Sequence, residues 1–399
     1  MIQFHYFVNQ SYIGYPHEAA AEFGAVMLKF PNRHFDAQRA ADLFDRYHRE
    51  FVLAEQVGFD TVLVNEHHNA PILSPIPNIS ATVLAKITSR VKIFIGGNIL
   101  PTNGNPLRLA EELAMIDLIS KGRLISGFVR GGAFESLALS ANTMHNREVF
   151  EEAHDLILAA WTRPGPFVWE GKHFNYRVVN PWVLPYQKPH PPIMIPGSTS
   201  RETVDWAAQR GYPYIALATS LEATDNLFRA YNETATAAGH QVGPGHRGYM
   251  IRVHVAEDEA KAHEEGRELF GSRVAQVTSM SKMKIHPDAG AWMAPPGYVT
   301  REAARQRRKY LGGTPFAFFT QGYEGALANN NIIVGTPEQV VAKLDALRRR
   351  WRLGHLGISN LPIEDESRTV RNLELFGTQV FPRLRELAAA DAQGAGLAA

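Results

Sequence analysis

Short apolar runs alternate along the chain with longer segments in which apolar residues recur every three or four positions. The runs are Phe4 to Val8, Thr61 to Asn65, Val91 to Leu100, Leu124 to Phe128, Pro192 to Ile195, Tyr214 to Ala218, Tyr249 to Val255 and His355 to Ser359. Runs of this length, rich in β-branched and aromatic residues, predict strands. The segments between them predict helices over Leu43 to Gln56, Ile79 to Ser89, Leu107 to Ile119, Glu148 to Trp161, Glu202 to Gln209, Glu222 to Ala238 and Pro337 to Trp351. The first of these places Leu43, Tyr47, Phe51 and Ala54 on one face and stops at Gly58, a C-terminal signal. Val91 to Leu100 is apolar at nearly every position, as in a parallel strand covered on both faces. Phe167 to Tyr176 reads as a hairpin turning at Glu170-Gly171-Lys172.

Eight strands separated by helices predict a parallel sheet with right-handed crossovers, and eight is the number that closes a (β/α)8 TIM barrel. An open doubly wound sheet is the second reading. It would place a glycine-rich phosphate loop after the first strand, and Asn9-Gln10-Ser11-Tyr12 is not one. All 399 residues are read as one barrel domain with two interruptions. One runs from Asn9 to about Gln38 and is rich in Tyr, Phe and Gly. The other, 272–332, lies between strands seven and eight and carries Met280, Met283, Trp292, Met293, Pro295-Pro296 and Phe316 to Phe319. Long loops in compact domains are functional or disordered, and this one is too apolar for disorder. It reads as a substrate lid at the barrel mouth, or equally as an oligomer interface or satellite core.

Composition narrows the chemistry. Hydrophobic residues make up 45% and charged residues 20%, ordinary for a globular enzyme with a sizeable core. The net charge of +1 gives no global field that favours nucleic acid or an anionic membrane. Cysteine is absent, which removes disulfides, thiolate catalysis and cysteine metal sites, and fits a reducing cytoplasm. The chain opens directly on a strand-like segment, and no stretch approaches the roughly 18 uninterrupted apolar residues of a membrane helix. A cytoplasmic protein is expected.

Four motifs sit where predicted strands run out into loops. Glu66-His67-His68 follows strand two, and histidine moves a proton readily near neutral pH. A metal site is disfavoured, because adjacent histidines on a strand point to opposite faces. Gly96-Gly97-Asn98 lies within strand three and marks either close approach of a flat ligand or a bulge. Arg130-Gly131-Gly132 ends strand four. Its guanidinium can form a planar phosphate fork or a salt bridge at the rim. Gly197-Ser198-Thr199-Ser200-Arg201-Glu202-Thr203 precedes a helix and offers an anion site from backbone N–H groups, hydroxyls and the helix dipole. Thr199 and Glu202 also have capping-box spacing. Together the four fall where a barrel gathers its active site. A phosphate clamp, a glycine-walled surface and a histidine pair point to a phosphorylated planar cofactor, for which flavin mononucleotide is suited.

The order of these pieces resembles the bacterial luciferase-like flavin monooxygenases. The resemblance rests on Glu66-His67-His68, Leu100-Pro101-Thr102, Ser120-Lys121-Gly122-Arg123 leading to Val129-Arg130-Gly131, Gly197-Ser198-Thr199-Ser200 before Trp206-Ala207-Ala208, and Val334-Gly335-Thr336-Pro337-Glu338-Gln339-Val340. It covers roughly Ile2 to Asn360. It implies that FMN sits at the C-terminal mouth of the barrel. Arg130, Ser200 and Thr203 would bind its phosphate, with Gly131, Gly197, Ser198 and Thr199 nearby. Gly96-Gly97-Asn98 would back the isoalloxazine, where this family often has a non-proline cis peptide. His67 would serve proton transfer or stabilise a flavin–oxygen adduct, and we expect Glu66 to orient it. Some relatives have a reactive cysteine before the arginine. Here that residue is Val129, so no thiol role is implied.

The resemblance implies a monooxygenase that uses FMNH2 and O2, by way of a C4a adduct, to oxygenate a small apolar or aromatic substrate. A separate NAD(P)H-dependent flavin reductase would supply the reduced flavin, and a homodimer or homotetramer is expected. The rival readings are an F420-dependent oxidoreductase that transfers hydride without O2, a non-catalytic flavin-binding protein, and a metal-dependent barrel hydrolase, which lacks the ligand spacing.

Overall fold

The computed structural model describes residues 2–16, 28, 30–198, 200–217, 219–281, 322–360 and 363–396. Its strands, in chain order, are β1 (Gln3–Val8), β2 (Thr61–Val64), β3 (Lys92–Ile99), β4 (Leu124–Val129), β5 (Phe167–Glu170), β6 (Asn175–Val179), β7 (Ile193–Gly197), β8 (Tyr214–Leu217), β9 (Arg247–Val255), β10 (Ile332–Gly335) and β11 (His355–Asn360). The pairings run β1-β2-β3-β4-β7-β8-β9-β11 and return to β1, all parallel, so the sheet closes into the predicted eight-stranded barrel. β5 and β6 form the separate antiparallel hairpin expected between β4 and β7.

Side chains alternate between the two faces of each strand. One set, with Leu63, Phe94, Ile125, Met194, Ile215 and Met250, packs inside the barrel. The alternate set, including Phe4, Tyr6, Val62, Ile93, Ile195, Tyr249 and Ile251, packs outward against the helices.

The helices are α1 (Ala37–Gln56), α2 (Pro77–Ile87), α3 (Pro106–Ser120), α4 (Ala133–Ala138), α5 (Asn146–Thr162), α6 (Arg201–Gln209), α7 (Leu221–Ala237), α8 (Glu259–Ser281), α9 (Gly322–Ala328), α10 (Pro337–Trp351), α11 (Glu366–Leu375) and α12 (Phe381–Gly396). Their ends follow local chemistry. Asp36 caps α1 by accepting from the Arg39 N–H, and Pro77 and Pro106 open α2 and α3, where a missing N–H costs nothing. Thr336 and Gln339 form a reciprocal capping box on α10.

Several elements differ from the sequence expectation. β10 is a short unpredicted strand that pairs with the outer end of β9, Ile332 beside Arg252. The helix after β9 runs on to Ser281, beyond the expected start of the insertion at 272. Residues 282–321 lie outside the described residues, and with them Met283, Trp292, Met293, Pro295-Pro296 and Phe316 to Phe319 of the expected lid. Residues 17–27 of the first interruption do too. The final helices α11 and α12 were not expected. They supply the cover that follows the eighth barrel strand, with Phe381 stacked on Phe4 at 4.2 Å and edge-on to Phe59 at 4.6 Å. Among the described residues, no helix is long and apolar enough to cross a membrane.

Candidate active site

The C-terminal ends of the strands surround a cavity of about 420 Å³. On one side, the loop after β2 carries Glu66, His67 and His68. The His67 Nδ1 lies 2.7 Å from Glu135 Oε1, and the His68 backbone N–H donates to Glu135 Oε2 at 2.9 Å. Glu135 belongs to α4, in the loop after β4, and is 1% exposed. A carboxylate accepts, so it holds the proton on Nδ1 and leaves Nε2 as the working nitrogen of the ring. The ring also stacks on Phe134, with centroids 6.2 Å apart.

This corrects the role expected for Glu66. Its Oε1 pairs with His68 Nε2 at 3.0 Å, and its Oε2 accepts from the Ile99 backbone N–H at 3.0 Å. Glu66 therefore ties the β2 loop to β3 rather than orienting His67. The Glu66 hydrogen bond raises the His68 pKa above its ordinary value.

On the adjoining wall, the Gly96-Gly97 peptide is cis. The β3–β4 register shifts between Ile95 and Asn98. A Cβ on Gly97 would fall inside the Gly127 carbonyl, and one on Gly127 inside the Ile95 carbonyl. The bulge reading of these glycines therefore holds. They let two strands approach around an irregularity, and Gly96 and Gly97 present bare backbone to the cavity. Asn98 is not brought there. It is 2% exposed, and its Nδ2 donates to Asn78 Oδ1 in α2 at 3.2 Å, outside the barrel wall.

The third side is cationic. Arg130 follows β4, and its Nη1 is 3.5 Å from Glu202 Oε2. Gly131 adopts φ +75°, a left-handed conformation that glycine takes without strain. Arg147, in the first turn of α5, donates to Thr203 Oγ1 at 3.0 Å and lies 3.7 Å from Glu202. Its Nε and Nη1 are buried with no hydrogen-bond partner. Burial first, and then repulsion from Arg130, lowers the Arg147 pKa. Two guanidiniums thus share the Glu202 carboxylate at the N-terminus of α6. Buried donors left unpaired are costly, and an anion bound beside Arg130 would relieve the repulsion between the two guanidiniums.

Ser200 caps α6, its hydroxyl accepting from the Thr203 N–H at 3.3 Å. The cap is thus one residue later than the Thr199–Glu202 spacing implied, and Glu202 turns to the arginines instead. Thr199 lies outside the described residues. Gly197, Ser198, Ser200 and Thr203 line the cavity with Arg130 and Gly131. Sequence reasoning missed Glu135 and Arg147. The former lies three residues beyond Gly132, where the motif reading stopped, and the latter opens a helix whose start was expected later, at Glu148.

A family model described as Luciferase-like monooxygenase matches residues 24–352. The alkanal monooxygenase alpha chain of Photorhabdus luminescens is 28% identical over 222 residues, a match that spans 55% of this chain and 60% of that one. The FMNH(2)-dependent dimethylsulfone monooxygenase of Pseudomonas putida is 26% identical over 361 residues, covering 86% of this chain and 88% of its own. Among solved structures, the FMN complex of the oxygenating constituent of 3,6-diketocamphane monooxygenase from Pseudomonas putida superposes with a TM-score of 0.73. It is 19% identical, over 96% of this chain and 99% of that one. An F420-dependent secondary alcohol dehydrogenase superposes with a TM-score of 0.63 at 16% identity, over 96% and 99%. At these identities the structural likeness speaks for the fold.

Proposed function

Since the chain belongs to the luciferase-like monooxygenase family, we propose that it is an FMN-dependent monooxygenase acting on a small organic substrate. The observation that carries this reading is the cationic side of the cavity. Arg130, Ser200 and Thr203 line it at the α6 N-terminus, and Arg147, bonded to Thr203 from outside the cavity lining, leaves Nε and Nη1 buried without a hydrogen-bond partner. A phosphate monoester has the charge and the acceptor oxygens to satisfy such a set. Arg130, Arg147, Ser200 and Thr203 would hold the phosphate, and the bare backbone of Gly96 and Gly97 would face the flat ring.

Reduced FMN, when bound, supplies the electrons that activate dioxygen toward an organic substrate. The protein's part is to position and to exclude water. Phe7, Leu63, Leu217 and Met250 make the inner wall apolar, which keeps stray water and protons from the reacting atoms. His67, fixed by Glu135, offers Nε2 as the group that holds or delivers one proton at the cavity. The FMNH(2)-dependence named for the Pseudomonas putida relative supports delivery of reduced flavin by a separate NAD(P)H-dependent reductase.

F420 carries a phosphate too, so the clamp alone does not decide between the cofactors. The His67–Glu135 pair beside the glycine wall favours the oxygen-using reading. The test is an anaerobic titration with reduced FMN, reduced riboflavin and reduced F420. FMN should bind most tightly, and Arg147→Gln should lower its affinity by about tenfold to a hundredfold, the range of one charge-assisted hydrogen bond. Riboflavin affinity should stay the same. Equal losses for FMN and riboflavin would sink the phosphate assignment, and preference for F420 would replace the cofactor.

A further inference from the structure

The cavity holds positive charge in a second place, away from the phosphate clamp. Arg252 lines it from β9 and is half-buried. Met250, two residues earlier, packs inside the barrel, so strand alternation sends Arg252 inward as well. Arg252 sits beside Ser359 of β11 in the parallel register, near the C-terminal end of both strands. Apart from Arg252 and Ser359, the wall here is apolar, built from Phe7, Leu217 and Met250.

The ring of strands locates this wall relative to the cofactor. From β3, four steps in either direction around the barrel lead to β9. Arg252 therefore stands across the barrel from Gly96 and Gly97. The clamp residues follow β4 and β7, and β8 separates β7 from β9. A flat ring laid on the glycine wall with its phosphate in the clamp leaves its other face open toward Arg252. That open space is where a substrate must sit to meet the reacting atoms.

We propose that Arg252 is the specificity residue for an organic anion: the substrate is a small amphipathic acid. Its carboxylate or sulfonate would pair with the Arg252 guanidinium, and its apolar body would lie against Leu217 and Met250. A guanidinium offers paired N–H donors that match such groups, and a low-dielectric wall strengthens the pairing. This sharpens the apolar substrate expected from sequence into one with a charged end. The inference rests on the glycine wall being the seat of the flavin.

The experiment uses the full-length protein saturated with FMN, titrated with benzoate, benzenesulfonate and benzyl alcohol. Perturbation of the flavin visible spectrum reports binding beside the ring. The two acids should bind on the order of tenfold or more tighter than the neutral alcohol. Arg252→Gln should bring the acids down to the level of the alcohol, leaving the alcohol and FMN affinities as they were. Arg252→Lys, which keeps the charge without the fork, should restore part of the preference. The proposal is overturned if acids and alcohol bind alike, or if Arg252→Gln weakens all three equally. It is also overturned if that substitution weakens FMN itself, since the guanidinium would then serve the flavin. Should FMN not bind, the cofactor reading fails separately. The same three probes and variants, followed by calorimetry on the protein alone, then decide the Arg252 assignment.

Discussion

His67 and Glu135 carry the sharpest residue-level prediction. A carboxylate on Nδ1 fixes both the tautomer and the ring orientation, so removing either partner should disturb proton transfer at Nε2. With His67→Ala, turnover of bound reduced FMN with dioxygen and substrate should slow by about a hundredfold, the low end of what positioned proton transfer contributes. Glu135→Gln should have part of that effect. Stopped-flow flavin absorbance measures the rate, and an unchanged rate in both variants removes His67 from the mechanism. Glu66→Gln should act differently, because Glu66 holds His68 and the Ile99 N–H. Its loss should loosen the β2 loop before it touches the proton. The pair Glu66-His67 was legible in the sequence as a polar cluster after a strand. Which carboxylate served which histidine was not, because neighbours in sequence point to different sides.

Among the elements, β3 and β4 decide the shape of the floor. Their backbones pass so closely that side chains are excluded at Gly97 and Gly127. Gly97→Ala should therefore destabilise the protein by about 1–3 kcal/mol, the usual cost of forcing extra volume into a packed site. Urea denaturation gives this directly. Gly104→Ala, where a Cβ meets open space, should stay within about 0.5 kcal/mol. If both substitutions cost the same, the clash at Gly97 is not what keeps glycine there. The sequence signalled this irregularity through two adjacent glycines in a strand. It could not show that the facing residue was Gly127, since pairing partners in a parallel sheet come from a different strand.

At the level of the whole molecule, the fold stores several neutral histidines. Burial lowers the pKa of His5, His154, His254 and His355, the last to about 4. The unfolded chain takes up protons near the ordinary histidine pKa of about 6.5, while the folded chain does not until lower pH. Stability should therefore be level above about pH 6.5 and fall as pH drops toward 4. Urea midpoints at pH 7.5, 6 and 5 test this, and a midpoint unchanged across the series would contradict it. From its own periodicities the chain determined eight strand-like runs, the helices between most of them, and the polar motifs after strands two to five. Each of these is written in residues a few positions apart, where strand and helix repeats act. The tertiary structure alone decided that β11 meets β1, that Glu135 reaches His67 from 68 residues away, and that Arg147 reaches Thr203 from 56. It also decided that Arg252 stands across from the glycine wall. Closing a barrel brings these groups together through strand order and register, and no local repeat in the sequence encodes a distance of that kind.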